Sequence, residues 1–240
     1  MFALTESGGG DVVRIEFLAA TALGTTLLFA VPGVAMAQPA YDWSGFYAGI
    51  SVGGASTTSD ITLTYTDPAS GPASADFGTV GALLALNVGY NIQVGNGVAG
   101  IEADAALTAV DGIVEEPGSY VFDERLESLL TLRSRFGVTS GPVYAYGTMG
   151  LAAGQADFSA VVDNGYGGSP VAATNSGLAV GIVGGAGVEV AVNDTVSLKT
   201  EGMMYRLAPL SASGDTGKGA FDSEYTPSGL VVRSGVNVQF

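Results

Sequence analysis

The chain has 240 residues, of which 47% are hydrophobic and only 13% are charged, and it contains neither cysteine nor histidine. These counts exclude a disulfide-stabilised scaffold, a zinc finger and any catalysis that depends on histidine or cysteine. Soluble domains usually carry about 25% charged residues, so the composition favours a membrane location. Beyond residue 30 every apolar run ends well before the roughly 18 residues that a membrane helix needs. A closed β-barrel is then the architecture that pairs every backbone group in a bilayer.

The N-terminal region has the pattern of a secretory leader. A short apolar core at 17–29 precedes the small-x-small sequence Ala-Met-Ala at 35–37. This pattern predicts a signal peptide over residues 1–37, cleaved after Ala37, and a mature domain over residues 38–240. The alternative of an uncleaved anchor is disfavoured, because the apolar core is too short to span a membrane. Three acidic residues surround the single cation ahead of that core, which suggests that translation starts shortly before that cation.

Eight segments of the mature chain alternate between apolar and polar or small residues, which is the period of a β-strand. Each is long enough to cross a bilayer as a tilted strand. The predicted strands are roughly 43–54, 79–92, 98–110, 126–138, 143–156, 177–192, 195–207 and 229–240. The fold class is therefore all-β, an eight-stranded antiparallel up-and-down transmembrane barrel.

The connections between these segments alternate strictly between short and long. The short ones are tight turns at 95–97, 140–142 and 193–194, with Gly, Asn, Asp or Pro at the turn positions. The long ones, rich in Asp, Ser, Gly and Pro, are predicted at 55–78, 111–125, 157–176 and 208–228. This is the layout of bacterial outer-membrane barrels, which have short periplasmic turns at one rim and longer extracellular loops at the other.

One face of the predicted strands is apolar, and the other carries charges in mid-strand, which indicates a polar lumen. The predicted inward charges are four acids and four bases, and their equal numbers favour an ion-pair network that fills a narrow interior. They are Glu102, Asp104, Glu189 and Glu201 with Arg133, Arg135, Lys199 and Arg233. Apolar residues facing inward would instead favour a soluble ligand-binding barrel.

Two stretches carry a family resemblance. Residues 41–49 read YDWSGFYAG, and the chain ends in VNVQF at Phe240. The first resembles the W-x-G-F-Y-x-G opening of small outer-membrane barrels of the OmpA-like and opacity-protein-like group. The terminal Phe240 resembles the signal by which the outer-membrane assembly machinery recognises its substrates. The resemblance implies an eight-stranded barrel in the outer membrane of a Gram-negative bacterium, without an appended peptidoglycan-binding domain.

The opening motif also has a physical interpretation. Tyr41 and Trp43 are expected in an interfacial aromatic girdle near the periplasmic rim. After Gly45 the strand alternation places Phe46 toward lipid and Tyr47 toward the lumen.

The residue content argues against an enzyme. Outer-membrane deacylases, phospholipases and proteases resemble one another in using a catalytic histidine, which this chain lacks. Glu102 and Asp104 are two apart on one strand and point the same way, so they could form a carboxylate pair. Four cations on the same face favour a structural role for that pair instead. We expect no cofactor and no metal.

The predicted function is a non-enzymatic outer-membrane protein with a structural and surface-exposed role. Its acidic loops would contact the environment or a host, and they either bind divalent cations that bridge to lipopolysaccharide or keep the loops soluble. The absence of a calcium-loop motif favours the second. Expected partners are outer-membrane lipid, lipopolysaccharide and the assembly machinery, and the acidic surface argues against nucleic acid as a partner. The alternatives are a small porin and a soluble periplasmic binding barrel.

Overall fold

The computed structural model describes residues 41–65, 73–116, 120–162, 171–215 and 220–240. The predicted signal peptide and its cleavage site lie outside these residues. The described strands are β1 (Gly45–Tyr65), β2 (Ala73–Val94), β3 (Gly97–Glu116), β4 (Tyr120–Ser140), β5 (Val143–Val162), β6 (Val171–Ala191), β7 (Val196–Leu207), β8 (Leu210–Asp215) and β9 (Ala220–Gln239). None of the described residues forms a helix long and apolar enough to cross a membrane.

The strands close into a barrel. Each strand from β1 to β7 pairs antiparallel with the next, β7 pairs with β9, and β9 returns to β1. At the closing seam, Ala48 faces Val238 and Val52 faces Ser234. The short strand β8 pairs with β9 beyond the end of β7, so β7 and β8 are two parts of one wall strand. The predicted eight-stranded antiparallel barrel is confirmed.

A proline explains why that wall strand is interrupted. Residues 208–209 are Ala-Pro, and proline has no N–H to donate to a neighbouring strand. The pairing shifts by one residue across the gap, from Arg206 opposite Ser228 to Leu210 opposite Tyr225. Sequence periodicity predicted one strand ending near residue 207 and missed its continuation.

The three short turns are where the sequence predicts them. Val94 pairs with Gly97 and Ser140 pairs with Val143, so each hairpin loop has two residues. Gly95 and Gly141 have φ values of 60° and 59°, a region that glycine adopts without steric cost. In the third turn, the Asn193 side chain accepts hydrogen bonds from the N–H groups of Thr195 and Val196. We call this rim, where the described chain also begins and ends, the short-turn end, and the opposite rim the far end.

The predicted long loops are much shorter than expected. Most of 55–78, 111–125, 157–176 and 208–228 is strand, because the hairpins continue to pair toward the far end. In β1 and β2, for example, the ladder runs without a break from Gly45 opposite Asn91 to Leu63 opposite Ala73. Backbone pairing needs no apolar side chain, so polar Ser, Thr and Asp residues extend the strands where the apolar pattern stops.

Side chains alternate between a buried interior and an apolar exterior along the wall. Phe46, Ile50 and Val52 of β1 face outward and are exposed, whereas Tyr47 and Ser51 face inward and are buried. The same alternation holds in the other wall strands, as predicted. The exterior therefore presents a continuous apolar band, and the interior holds most of the buried polar residues.

Candidate functional site

The structure brings all eight predicted charged residues together in the lumen. They come from five strands: Glu102 and Asp104 from β3, Arg133 and Arg135 from β4, Glu189 from β6, Lys199 and Glu201 from β7, and Arg233 from β9. None of the eight is more than 7% exposed. Because side chains alternate across a strand, charges two residues apart enter the lumen one above the other.

Glu102 is the centre of this network. Its carboxylate pairs with the Arg133 guanidinium, and it lies 3.2 Å from both the Arg135 Nη1 and Lys199 Nζ atoms. The Tyr47 hydroxyl donates a hydrogen bond of 2.9 Å to the same carboxylate. Four side chains from three strands, β1, β4 and β7, thus converge on one buried carboxylate.

Asp104 and Glu201 join the two arginines nearer the far end. Asp104 Oδ2 lies 2.6 Å from Arg133 Nη2 and 2.7 Å from Arg233 Nη2. Arg233 also lies 2.5 Å from Glu201 Oε1, and Tyr146 donates a hydrogen bond of 2.9 Å to the other Glu201 oxygen. The arrangement links β3, β4, β7 and β9 across the width of the barrel.

Arg135 forms the part of the network nearest the short-turn end. Its guanidinium pairs with Glu189 at 2.6 Å and lies 4.0 Å from the Tyr146 ring centroid. Glu189 in turn accepts hydrogen bonds from Ser197 at 2.5 Å and Asn237 at 2.6 Å. The ring contact offsets the cost of the buried Arg135 Nε atom, which has no hydrogen-bond partner. Sequence reasoning missed the roles of Tyr146, Ser197 and Asn237, although their strand parity places all three inward.

The charges in the lumen balance. Four carboxylates face four cations, and each cation lies within 4.0 Å of at least one carboxylate. Buried charges are costly unless they are paired and hydrogen-bonded, so this balance is what makes a charged interior tolerable. The described residues contain no group of three or more acidic side chains able to hold a metal ion.

An aromatic layer closes the lumen at the short-turn end, and it corrects one prediction. Trp43 is only 2% exposed and packs with Val98, Tyr144 and Tyr146. Tyr41 is partly buried, and its ring lies edge-on to Trp43 at 4.6 Å. The expectation of Trp43 and Tyr41 in an interfacial girdle is therefore wrong, because both lie over the lumen rather than toward lipid.

The backbone before β1 explains this position. Gly45 has φ of 129°, which other residues rarely adopt and which lets the chain turn inward ahead of the strand. The Trp43 N–H donates to Gln93 Oε1 at 2.9 Å, and Gln239 Nε2 donates to the Ser44 carbonyl at 2.6 Å. These bonds attach residues 41–44 to β2 and β9 across the seam.

Aromatic residues other than Tyr41 and Trp43 face outward near this rim. Phe46 is 60% exposed and its ring lies 4.7 Å from that of Tyr90. Phe136 and Phe240 are also exposed on the outer wall. Of the opening motif, only Phe46 lies where an interfacial aromatic residue belongs.

The far half of the lumen is apolar, so the predicted polar lumen is found only in the half that holds the ion pairs. The inward side chains beyond the ion pairs are mostly aliphatic and buried, including Leu83, Ala106, Leu129, Ala152, Val183, Met203, Leu207 and Val231. A Cβ atom built on Gly154 would lie 2.8 Å from Leu207 Cδ1, so this layer is tightly packed. An eight-stranded barrel is just wide enough for side chains to fill, and a filled interior needs no polar lining.

Two titrating groups lie outside the strands at the short-turn end. The Ser44 N–H donates a hydrogen bond of 2.9 Å to the Asp42 carboxylate and lowers the pKa of Asp42 below its ordinary value. Partial burial raises the pKa of the Tyr41 hydroxyl, which donates to Gln239 Oε1 at 2.9 Å. Both groups keep their ordinary charge near neutral pH.

A closed antiparallel wall, an apolar exterior and a filled, charged interior define a transmembrane β-barrel. The model of the outer membrane protein beta-barrel domain matches residues 23–226. The chain is also 30% identical over 207 residues to a 22 kDa outer membrane protein of Rhizobium leguminosarum bv. viciae, covering 85% of this chain and 81% of that protein. It belongs to the family of outer membrane β-barrel proteins.

A solved structure agrees on the fold. The outer membrane protein OprG of Pseudomonas aeruginosa is similar with a TM-score of 0.52 and 13% identity, over 84% of this chain and 98% of that one. Neisserial surface protein A has a TM-score of 0.38 and 18% identity, over 82% of this chain and 98% of that one. The protein is located in the outer membrane of a Gram-negative bacterium, so the alternative of a soluble periplasmic barrel is wrong. Inward apolar residues, which were expected to favour that alternative, occur here in a membrane barrel.

Proposed function

We propose that this protein is a sealed, non-enzymatic outer-membrane barrel with a structural role, which presents its far end to the environment or a host. The observation that carries the proposal is the filling of the lumen. Aromatic, ionic and aliphatic layers follow one another from the short-turn end, and Trp43, Arg135, Arg133 and Met203 within them are each no more than 2% exposed. Interlocked side chains of this kind leave little room for a water path.

The ion pairs support sealing over conduction. An open, water-filled pore solvates its charges, so it has no need to balance them. Here Glu102 contacts cations from β4 and β7. These contacts cross the lumen, which is the path that a solute would take. A small porin is therefore the less favoured function.

The chemistry of the lumen supports a non-enzymatic role. A general acid or base must reach the group that it protonates or deprotonates. Glu102 and Asp104 are instead enclosed by arginine and lysine side chains, and the chain has no histidine. The proposed partners are outer-membrane lipid, through the apolar wall, and the assembly machinery, through the exposed Phe240 at the end of the chain.

Planar-bilayer recording of the protein refolded as residues 38–240 tests the proposal. We expect no steady conductance from barrels that migrate as folded species on a heat-modifiable gel. A general porin reconstituted in the same lipid serves as the positive control. Steady conductance steps that grow with salt concentration would overturn the sealed barrel and favour the small porin.

A further inference from the structure

Two of the strand ladders in the barrel wall stop short of the far end. β3 pairs with β4 out to Glu116, whereas its pairing with β2 reaches only to Ala82. β6 pairs with β5 out to Val171, whereas its pairing with β7 reaches only to Gly181. Among the described strands, no ladder joins β6 to β8. Toward the far end the wall therefore separates into two sheets, β8-β9-β1-β2 and β3-β4-β5-β6.

One of the open edges is the far part of β6, residues 171–180, which we call the β6 edge. Its last ladder-like contact is the hydrogen bond of 2.9 Å from the Ala208 N–H to the Val180 carbonyl oxygen, and the residue after Ala208 is a proline. In a strand the backbone groups of every second residue point to the same side, so those of Leu178 and Ser176 point toward β8. The ladder with β5 continues on the other side. The β6 edge is thus held in strand geometry and presents a regular row of donors and acceptors.

The residues around the β6 edge place it at or beyond the boundary of the apolar band. Arg206, just before the gap, is exposed and lies opposite Ile182. Within the gap, Ser176 is exposed and lies opposite Asp157 of β5. Backbone groups without a ladder partner are tolerated where water reaches them and not in the hydrocarbon region. The β6 edge is therefore accessible from the aqueous side of the far end.

The sequence of the β6 edge lacks the features that protect exposed strand edges. Proteins usually prevent unwanted pairing at such edges with charged residues or proline. The other three open edges have these features, namely Asp76 in β2, Glu115 in β3 and Pro209 directly before β8. Residues 171–180 read VAATNSGLAV, with no charged residue and no proline. One unprotected edge beside three protected ones points to a partner that pairs with it as a strand.

The charge of the far end indicates the chemistry of that partner. The loops and strand ends of the far end lie within four segments, 55–78, 111–125, 157–176 and 208–228. Together these segments contain 13 acidic residues and only two basic ones. A surface with so strong an excess of one sign attracts partners of the opposite sign and increases their rate of association. The strand that fits the β6 edge is therefore positively charged.

We propose that the β6 edge binds an extended, cationic polypeptide segment of another protein as an added strand. Main-chain hydrogen bonds to β6 supply the affinity in this mode of recognition, and the acidic far end selects for positive charge. β8 lies beside the edge, since a Cβ atom on Gly177 would lie 4.0 Å from Leu210 Cδ2. Because β8 has a ladder only with β9, it can move aside as the strand enters. This inference rests on the proposal that the far end faces the environment.

Peptide binding tests the edge. The probe is a fluorescent peptide of ten residues that alternates lysine with threonine or valine, and its anisotropy is measured with protein purified from outer membranes into a neutral detergent. We expect Ser176→Pro to weaken binding about tenfold, because it removes an N–H that faces the incoming strand. The matched control Ser176→Val changes the same outward side chain but keeps the N–H, and it should bind the peptide as the unaltered protein does.

Two further measurements separate strand pairing from charge attraction. A peptide of the same sequence with methyl groups on alternate backbone nitrogens keeps its charge but cannot complete a ladder, and we expect it not to bind. Hydrogen exchange of the Leu178 N–H, followed by NMR in micelles, reports on the edge without any substitution. We expect this amide to exchange rapidly in the free protein and slowly once the unmethylated peptide is bound.

Three outcomes would overturn the proposal. Equal peptide affinity of Ser176→Pro and the unaltered protein would exclude the β6 edge as the docking site. Equal binding of the methylated peptide would show that charge alone attracts it. Slow exchange of the Leu178 N–H in the free protein, or failure of Ser176→Pro to fold, would show that the edge is already paired within the barrel. Planar-bilayer conductance reports on the lumen and not on this edge, so a failure of the sealed-barrel proposal is recognised separately.

Discussion

Arg133 shows how strongly a single residue supports the lumen. Its guanidinium contacts Glu102, Asp104 at 2.6 Å and Glu201 at 3.4 Å, and it is buried from solvent. Removing one member of a buried ion-pair network leaves the opposite charges without full compensation. That loss is costly even where the whole network contributes little to net stability.

We therefore expect Arg133→Ala to lower the free energy of unfolding by about 3 kcal/mol. Urea unfolding in neutral detergent micelles measures this change. The matched control is Arg206→Ala, which removes an exposed arginine and should change stability by less than about 1 kcal/mol. An Arg133→Ala midpoint equal to that of the unaltered protein would contradict the role assigned to the network.

Asp42 provides a pH-dependent contact at the short-turn end. The Ser44 N–H stabilises the ionised carboxylate, so the folded pKa lies below the ordinary value of 3.8. A depressed carboxyl pKa contributes stability above the unfolded pKa, and this contribution is lost as the pH falls through the folded pKa. We expect an NMR titration of the Asp42 side chain in micelles to give a midpoint below 3.8. A midpoint at or above that value would show that the hydrogen bond does not form.

At the scale of the element, residues 41–44 act as a cap on the barrel. The segment is attached to β2 through Gln93 and to β9 through Gln239, and it places Trp43 against Tyr144 and Tyr146. Sequence periodicity could not predict this, because side-chain parity applies only within a strand and Trp43 precedes the first one.

Fluorescence of Trp43 tests this position directly, since it is the only tryptophan of the chain. We expect weak quenching by brominated lipids in reconstituted bilayers, because the indole lies inside the barrel. As a control, Phe46→Trp in a Trp43→Phe background places the indole on the outer wall, where the same lipids should quench it strongly. Equal quenching of the two proteins would show that Trp43 lies at the membrane interface and not inside the barrel.

At the scale of the whole molecule, closure of β1 on β9 is what removes every strand edge from the membrane region. At this seam the backbones of β1 and β9 approach each other closely at Gly235, which lies opposite Ser51. A Cβ atom there would meet the Ile50 carbonyl oxygen and lie within 2.8 Å of Ser51 Cα. Neither backbone can move without separating the two strands.

We expect Gly235→Val to prevent closure, so that the variant loses the faster gel migration of an unheated folded barrel. Gly54→Val is the matched control, because a Cβ atom there faces outward and would meet only the Gly81 carbonyl oxygen at an ordinary contact distance of 3.6 Å, and it should migrate as the unaltered protein does. A folded Gly235→Val barrel would show that the seam tolerates a wider spacing than the structure has.

Much of this architecture could be predicted from residue patterns, for identifiable reasons. The period of two assigned Arg133, Glu201 and Arg233 to the interior, because a strand leaves each side chain only two directions. The turns at Gly95 and Gly141 could be predicted because few residues tolerate positive φ. The far ends of the strands could not, since backbone pairing there proceeds without an apolar pattern.

The amino-acid sequence by itself determined the barrel class, the strand number and the inward set of balanced charges, because all three follow from local periodicity and turn chemistry. Only the tertiary structure decided which charges pair, that Trp43 caps the lumen and that the far half of the interior is aliphatic. Those features depend on contacts between residues far apart in the chain, such as Glu102 with Lys199 and Ser44 with Gln239. Such contacts exist only once the closed wall has brought the strands around a common interior.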